Sequence, residues 1–202
     1  MLTINEIIFA LNNHEKIIIQ LKSPLSTSDY CSTTPIILMQ NNKQLILTKD
    51  FLYHNMNRLI TLLKKALKNE LLSDHYIMHD IGFLFNQYSA NLCGEKLKKP
   101  TGLIYKKKNN ISYWPGNDYH LWAHNYISWI YNKSDRSIIF EVTPFYPYMY
   151  CEPEEESNYI PYNEWIKTYK PYLIREIPRA IAQEWLKQAE YIIQTIIFKF
   201  ID

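Results

Sequence analysis

Apolar positions along this chain recur with two different periods, and the switches between them mark its elements. Leu52, Met56, Leu59, Ile60, Leu63 and Leu67 return every three or four residues, while Arg58, Lys64, Lys65 and Lys68 fall mostly off that stripe. One apolar face with charge opposite predicts an amphipathic helix, capped by Asp50 and running to about Leu72. A second stripe, Ile181, Trp185, Ala189, Ile192 and Ile196, predicts a helix from about Ile177 to Phe198. Pro178 sits in its first turn, where a missing N–H costs little. Helical spacing of Ile4, Ile7, Ile8 and Leu11, with Thr3 and Glu6 arranged as a capping box, predicts a short helix over 3–12. Further helices are predicted from about Ile77 to Leu92, closed near Gly94, and in PYNEWIKTYKP, stopped by Pro171.

Elsewhere the period drops to two. KIIIQLK, from Lys16 to Lys22, is β-branched and predicts a strand, followed by a Ser/Thr/Pro-rich loop over 23–34. PIILMQNNKQLILTKD predicts a hairpin with strands at 36–40 and 44–48 around an Asn41-Asn42-Lys43 turn, because Asn tolerates the positive φ of tight turns. GLIYK predicts a strand between basic connections at Lys96–Pro100 and Lys106–Asn110. Tyr119 to Tyr131 alternates as one strand, Asn132 to Arg136 is a turn cluster, and Ser137 to Thr143 alternates again. In that last run Ile138, Phe140 and Val142 point inward and Glu141 and Thr143 outward, so the two runs predict an antiparallel hairpin. Pro144 and Pro147 end the pairing because neither can donate a ladder hydrogen bond. Hairpins mixed with helices, without βαβ alternation, predict a single α+β domain over 1–202, its mainly antiparallel sheet packed against several helices.

Composition narrows the function more than the fold. At 202 residues the chain buries roughly 70% of its extended surface, enough for a core without disulfides or metals. Four Gly and no glycine-rich phosphate loop argue against a nucleotide-binding fold. A net charge of +2 is too small to imply a nucleic-acid or membrane partner. Cys31, Cys93 and Cys151 are odd in number and far apart, which fits free thiols in a reducing cytosol. The N-terminus carries Glu6 and no basic n-region, and no apolar run reaches the ~20 residues of a membrane span, so a soluble cytoplasmic protein is expected.

Candidate chemistry is sparse. His75 and His79 share a helix face with Asp80 beside them, which makes a metal-dependent hydrolase the alternative reading. HYIMH nevertheless lacks the central Glu of H-E-x-x-H, and a solvated helix start explains the same residues. His120 and His124 on one strand would stand roughly 13 Å apart, too far to share an ion. Cys93 and Cys151 sit in no nucleophile signature and read as buried structural thiols. The lysine clusters lack interleaved aromatics. Most of the five Trp read as core, and no cofactor or metal is implied. CEPEEES, with Glu152, Glu154, Glu155 and Glu156, reads as an exposed acidic loop suited to a basic partner, and the tyrosines leading into it, Tyr146, Tyr148 and Tyr150, as exposed anchors.

Residues 112–192 resemble small cytosolic bacterial immunity proteins of contact-dependent and polymorphic toxin systems. The features that carry this are Tyr113-Trp114, the Trp129-Ile130-Tyr131-Asn132 turn entry, Thr143-Pro144-x-Tyr146-Pro147, the acidic loop, and Trp165 with Tyr169-Lys170-Pro171. The resemblance implies a non-enzymatic protein that binds and neutralises a cognate toxin. A structural or regulatory mobile-element protein is a third reading.

Overall fold

The first strand forms where helical spacing predicted a helix. β1 (Glu6–Ala10) pairs antiparallel with β2 (Glu15–Gln20), Ile7 opposite Ile19 and Phe9 opposite Ile17. The turn between them decides the outcome: Asn12 Oδ1 accepts the N–H groups of His14 (2.8 Å) and Glu15 (2.9 Å), reversing the chain at once. Ile7 and Ile8, stiff at χ1, then pair against the isoleucines of β2. β3 (Ile36–Gln40) and β4 (Lys43–Thr48) complete a meander in the order β1-β2-β3-β4. Asn41 and Asn42 hold φ at 46° and 65° in the β3–β4 turn, as their placement predicted. A 3-10 helix at Thr27–Cys31 occupies the expected loop.

The computed structural model describes residues 6–21, 24–71, 80–92, 106–108, 111–113, 118–133, 135–148 and 158–197. α1 (Leu52–Leu67) buries Leu52, Met56, Leu59, Leu62, Leu63 and Ala66, largely the predicted stripe. Its cap is Phe51, not Asp50: the Asp50 carboxylate accepts the Phe51 N–H (2.7 Å) and makes no bond to the helix. It stops at Leu67, short of Leu72, because Asn69 turns left-handed (φ 58°) and the Asn69 and Glu70 amides return to the carbonyls of Ala66 and Lys65. α2 (Ile81–Leu92) covers the described part of the second predicted helix. A short pair, β5 (Lys106–Lys108) and β6 (Ile111–Tyr113), follows, with β5 on residues expected to be a polar connection.

A second four-stranded antiparallel sheet has the order β10-β9-β8-β7. The single run predicted over 119–131 is two strands, β7 (His120–Ala123) and β8 (Tyr126–Asn132), because the chain reverses at His124, whose N–H donates to the Tyr126 carbonyl (2.9 Å). β8 pairs with β9 (Ile138–Pro144) in the predicted hairpin. α3 (Tyr162–Thr168) lies in the predicted PYNEWIKTYKP segment. β10 (Leu173–Ile177) was not anticipated: its exposed middle, Ile174-Arg175-Glu176, has no helical or alternating signature, yet it pairs along β9. α4 (Arg179–Ile197) buries Ala182, Trp185, Ala189, Ile192 and Ile196.

Trp185 of α4 ties the two sheets together. Phe9 of β1 and Phe140 of β9 both set ring edges against it, at 5.8 and 6.1 Å, and its indole N–H donates to the Ala10 carbonyl. α1 packs along α4 and against β7 and β8. The second sheet is covered on both sides: Phe140 faces α4, while Glu141 and Thr143, one residue out of phase, face α2. Contrary to the outward orientation read from alternation, both Glu141 and Thr143 are fully buried. One core cluster includes residues of both sheets, α1, α2 and α4, and the class is the predicted α+β with antiparallel sheets.

Candidate functional site

Past β9 the chain enters the acidic stretch whose feet are held by aromatic side chains. Tyr150, Glu152, Glu154, Glu155 and Glu156 lie outside the described residues, as do His75, His79, Cys93 and Cys151. On either side of 149–157 the geometry is defined. The Tyr148 hydroxyl donates to the Asn158 carbonyl (2.8 Å), and its ring meets Tyr159 at 5.3 Å. Tyr146 donates its hydroxyl to the Ile160 carbonyl (2.9 Å) and its backbone N–H to Asn86 Oδ1 (2.8 Å). Its ring contacts Tyr148, Tyr162 and Trp165 at 5.8, 5.3 and 5.3 Å. The first and last residues around the acidic stretch are thus bonded to each other.

This corrects the expected role of Tyr146. It is 2% exposed, so it is a buried post of the clamp and not an exposed anchor, because its ring, hydroxyl and amide are all used internally. Tyr148 is half-buried, with its hydroxyl committed to the clamp. The apolar group that does face solvent here is Ile160, 45% exposed, which the sequence did not single out. Burial pushes the Tyr162 hydroxyl above the ordinary phenol range.

Behind the clamp lies a cluster of acidic groups at the start of α2. Glu141 Oε1 accepts the Gly82 N–H (2.7 Å), and Oε2 accepts the Ile81 N–H (3.3 Å) and the Tyr131 hydroxyl (2.8 Å). Asp80 Oδ1 accepts the Phe83 N–H (2.7 Å) and the Tyr169 hydroxyl. Three successive orphan amides of a helix end are therefore satisfied, two of them by a carboxylate from the neighbouring sheet. Burial raises both phenols, and the carboxylates they bond to raise them further. α2 approaches β9 so closely that a Cβ at position 82 would sit 2.1 Å from Thr143 Oγ1, so Gly is required there. Farther along α2, Asn86 donates to the Gly82 (2.8 Å) and Pro144 (3.0 Å) carbonyls, which joins the cluster to the clamp through Tyr146. Trp165 and Tyr169, rings 5.7 Å apart, make a second connection.

Asp80, expected as a possible metal ligand beside His75 and His79, therefore uses Oδ1 as a helix cap. Among the described residues no group of three or more His, Cys, Asp and Glu is placed to hold a metal ion. His120 and His124 do not share a strand as expected: His120 is in β7, its ring edge-on to Trp129 at 5.6 Å, and His124 is in the bend. Burial holds His120 below the usual histidine range, with the Arg58 guanidinium acting in the same direction. Trp122, Trp129 and Trp185 are core, as predicted for most of the Trp, and Trp165 is half-buried in the clamp. An open groove of about 480 Å³ is lined by Asp135, Arg136, Glu176 and Arg179 among others, a balanced charge set that favours neither anion nor cation.

Sequence reasoning missed Glu141. The available signal was its position inside IIFEVTP: a lone carboxylate in an apolar run belongs either to an outward face or to a buried cap, and period alone does not separate them. Comparison with protein-family models, with curated proteins and with solved structures found no match for this chain.

Proposed function

We propose that this protein is a non-enzymatic binding protein of the immunity type, which captures a basic partner, a cognate toxin domain, through the acidic stretch at 149–157. The resemblance of residues 112–192 to small bacterial immunity proteins supplies the class. One observation supports the location: the Tyr148 hydroxyl donates to the Asn158 carbonyl, so the residues that border the acidic stretch are bonded to each other, and contacts of Tyr146 with Asn86 of α2 and Trp165 of α3 brace that border. Fixing the two ends lowers the entropy lost when the segment meets a partner. Closely spaced carboxylates accelerate encounter with a basic surface and set its salt dependence more than its final strength. Ile160 and the edge of Tyr148 would supply apolar contact beside them. Among the described residues no helix is long and apolar enough to cross a membrane, which is compatible with action on a soluble partner.

The test is the association rate of the purified protein with a cognate toxin domain. Replacing Glu152, Glu154, Glu155 and Glu156 together by Gln is expected to slow association roughly tenfold or more at low salt and to flatten its salt dependence. An unchanged rate removes the acidic stretch from the interface.

A further inference from the structure

We propose that β7 is an acid-sensitive flap at the edge of the second sheet, and that a proton taken up by His120 detaches the strand from α1. β7 ends the strand order, and its ladder to β8 is interrupted: register is kept at His120 with Trp129 and at Ala123 with Ile127, with an irregularity between them. There the Ser128 side chain takes over, its Oγ accepting the Trp122 N–H (3.0 Å) and donating to the Trp122 carbonyl (3.1 Å). α1 supplies further attachment. Arg58 Nε donates to the His120 carbonyl (2.6 Å) and Nη2 to the Asp118 carbonyl (3.4 Å), while the Trp122 indole N–H donates to the Asn55 carbonyl (3.4 Å). An edge strand held largely by side chains is a natural place for local opening.

His120 stands where these attachments meet. Its Nε2 is buried and has no hydrogen-bond partner among the described residues. In neutral imidazole that nitrogen is only an unused acceptor; a second proton makes it a charged donor with nothing to receive it. The ring lies edge-on to Trp129 of β8 at 5.6 Å, and the rim of an indole repels a cation. Arg58 of α1 is the charged group that acts on it, and Asp118, just before β7, offsets part of that charge. β4, which also touches β7, brings Leu45 and Leu47 to the shared core. An imidazolium here therefore meets a guanidinium and apolar walls. Opening lets both cations reach water: Arg58 leaves the two carbonyls, and the buried side chains of Tyr119, Leu121 and Trp122 are uncovered. Burial first, and Arg58 second, hold His120 below its ordinary value of 6.5, although a bond to the Trp122 backbone pulls the other way. The detached strand regains the ordinary value, so between the two values the open form binds more protons. The closed form is therefore fully favoured above pH 6.5 and loses ground as pH falls toward the closed-state value.

An NMR titration of the whole protein tests the proposal. The His120 ring resonances should report a midpoint below 6.5. The amides of Trp122 and Ile130, which are bonded to Ser128 Oγ and the Tyr119 carbonyl, should lose exchange protection over the same range, after correction for the intrinsic pH dependence of exchange. The loss should be about tenfold for each unit by which the midpoint lies below 6.5, while Ile18 and Ile37 of the first sheet keep their protection. His120→Phe keeps a ring that cannot titrate, so the acid loss at Trp122 and Ile130 should disappear. Arg58→Gln removes the neighbouring charge and keeps a donor for the His120 carbonyl, so the His120 midpoint should rise. A wild-type midpoint at or above 6.5, unchanged protection at Trp122 and Ile130 while His120 titrates, an acid loss that persists in His120→Phe, or a midpoint unmoved by Arg58→Gln would overturn the proposal. The wild-type titration decides it alone if neither variant folds.

Discussion

The two four-stranded sheets have the same size and the same antiparallel pairing but are stabilised in different ways. In the β1–β4 meander, Phe9, Ile17, Ile19, Ile36, Leu38 and Leu47 enter the core, and the other face carries the row Ile8, Ile18, Ile37 and Ile46 across successive strands. Its charged anchor is Glu15, at the rim, which accepts both Nε and Nη2 of Arg175 from β10 (2.7 Å each) and the Gln40 amide (2.8 Å). That set of donors, Arg175 first, holds the Glu15 carboxyl below its ordinary range. The β10–β7 sheet instead buries Ser128, Asn132, Glu141 and Thr143 in its interior strands. Each satisfies a group on another element or strand. Ser128 bridges the Trp122 amide and carbonyl, Asn132 donates to the Ala66 carbonyl at the end of α1, Thr143 accepts the Trp129 indole, and Glu141 caps α2. Interior strands covered on both faces have no solvated side for polar residues, so these four polar positions of β8 and β9 become connectors. Apolar packing tolerates modest changes of shape, whereas such connectors are intolerant of loss because the partner is left dry and unpaired.

The largest expected effect follows from the closest approach in the second sheet. Gly82→Ala would force a methyl against Thr143 Oγ1, with backbone on one side and a core strand on the other. A loss of about 3 kcal/mol is expected, a fall in melting temperature of roughly 6–12 °C by calorimetry. A change below ~1 kcal/mol would mean that α2 does not seat this closely.

In the first sheet the corresponding sensitivity is local to a turn. Asn42→Ala places a Cβ-bearing residue without a helping side chain at φ 65° and is expected to cost about 1 kcal/mol, whereas Asn42→Gly should be near neutral. Chemical denaturation of both variants measures the difference. Equal costs would show that the turn is not what holds the β3–β4 register.

This contrast also explains what could be read from the chain. The β3–β4 hairpin, the stripes of α1 and α4 and the β8–β9 pairing were legible because one face of each buries the residues that period and turn chemistry single out. Glu141 and Thr143 read as outward because alternation presumes one wet face, and β9 has none. The β1 segment reads as a helix because Ile4, Ile7, Ile8 and Leu11 fit a 3.6-residue period; the Asn12 turn and pairing with β2 override that local preference. β10 was illegible because it is an edge strand whose exposed middle includes Arg175 and Glu176. At the candidate site, the acidic stretch was evident from charge alone. The clamp beneath it was not, since the bond between Tyr148 and Asn158 depends on where β9 and α3 deliver their ends.

The central claim is that buried polar side chains of the second sheet hold α2 in place, independently of the first sheet. Backbone amide exchange tests it most directly. Glu141→Leu keeps a side chain of similar size and removes both acceptor oxygens. In the wild type the Ile81 and Gly82 amides should be protected. In the variant that protection should fall by at least about tenfold, while the amides of Ile18 and Ile37 keep theirs. Undiminished protection at Ile81 and Gly82, or an equal loss in both sheets, would contradict the account.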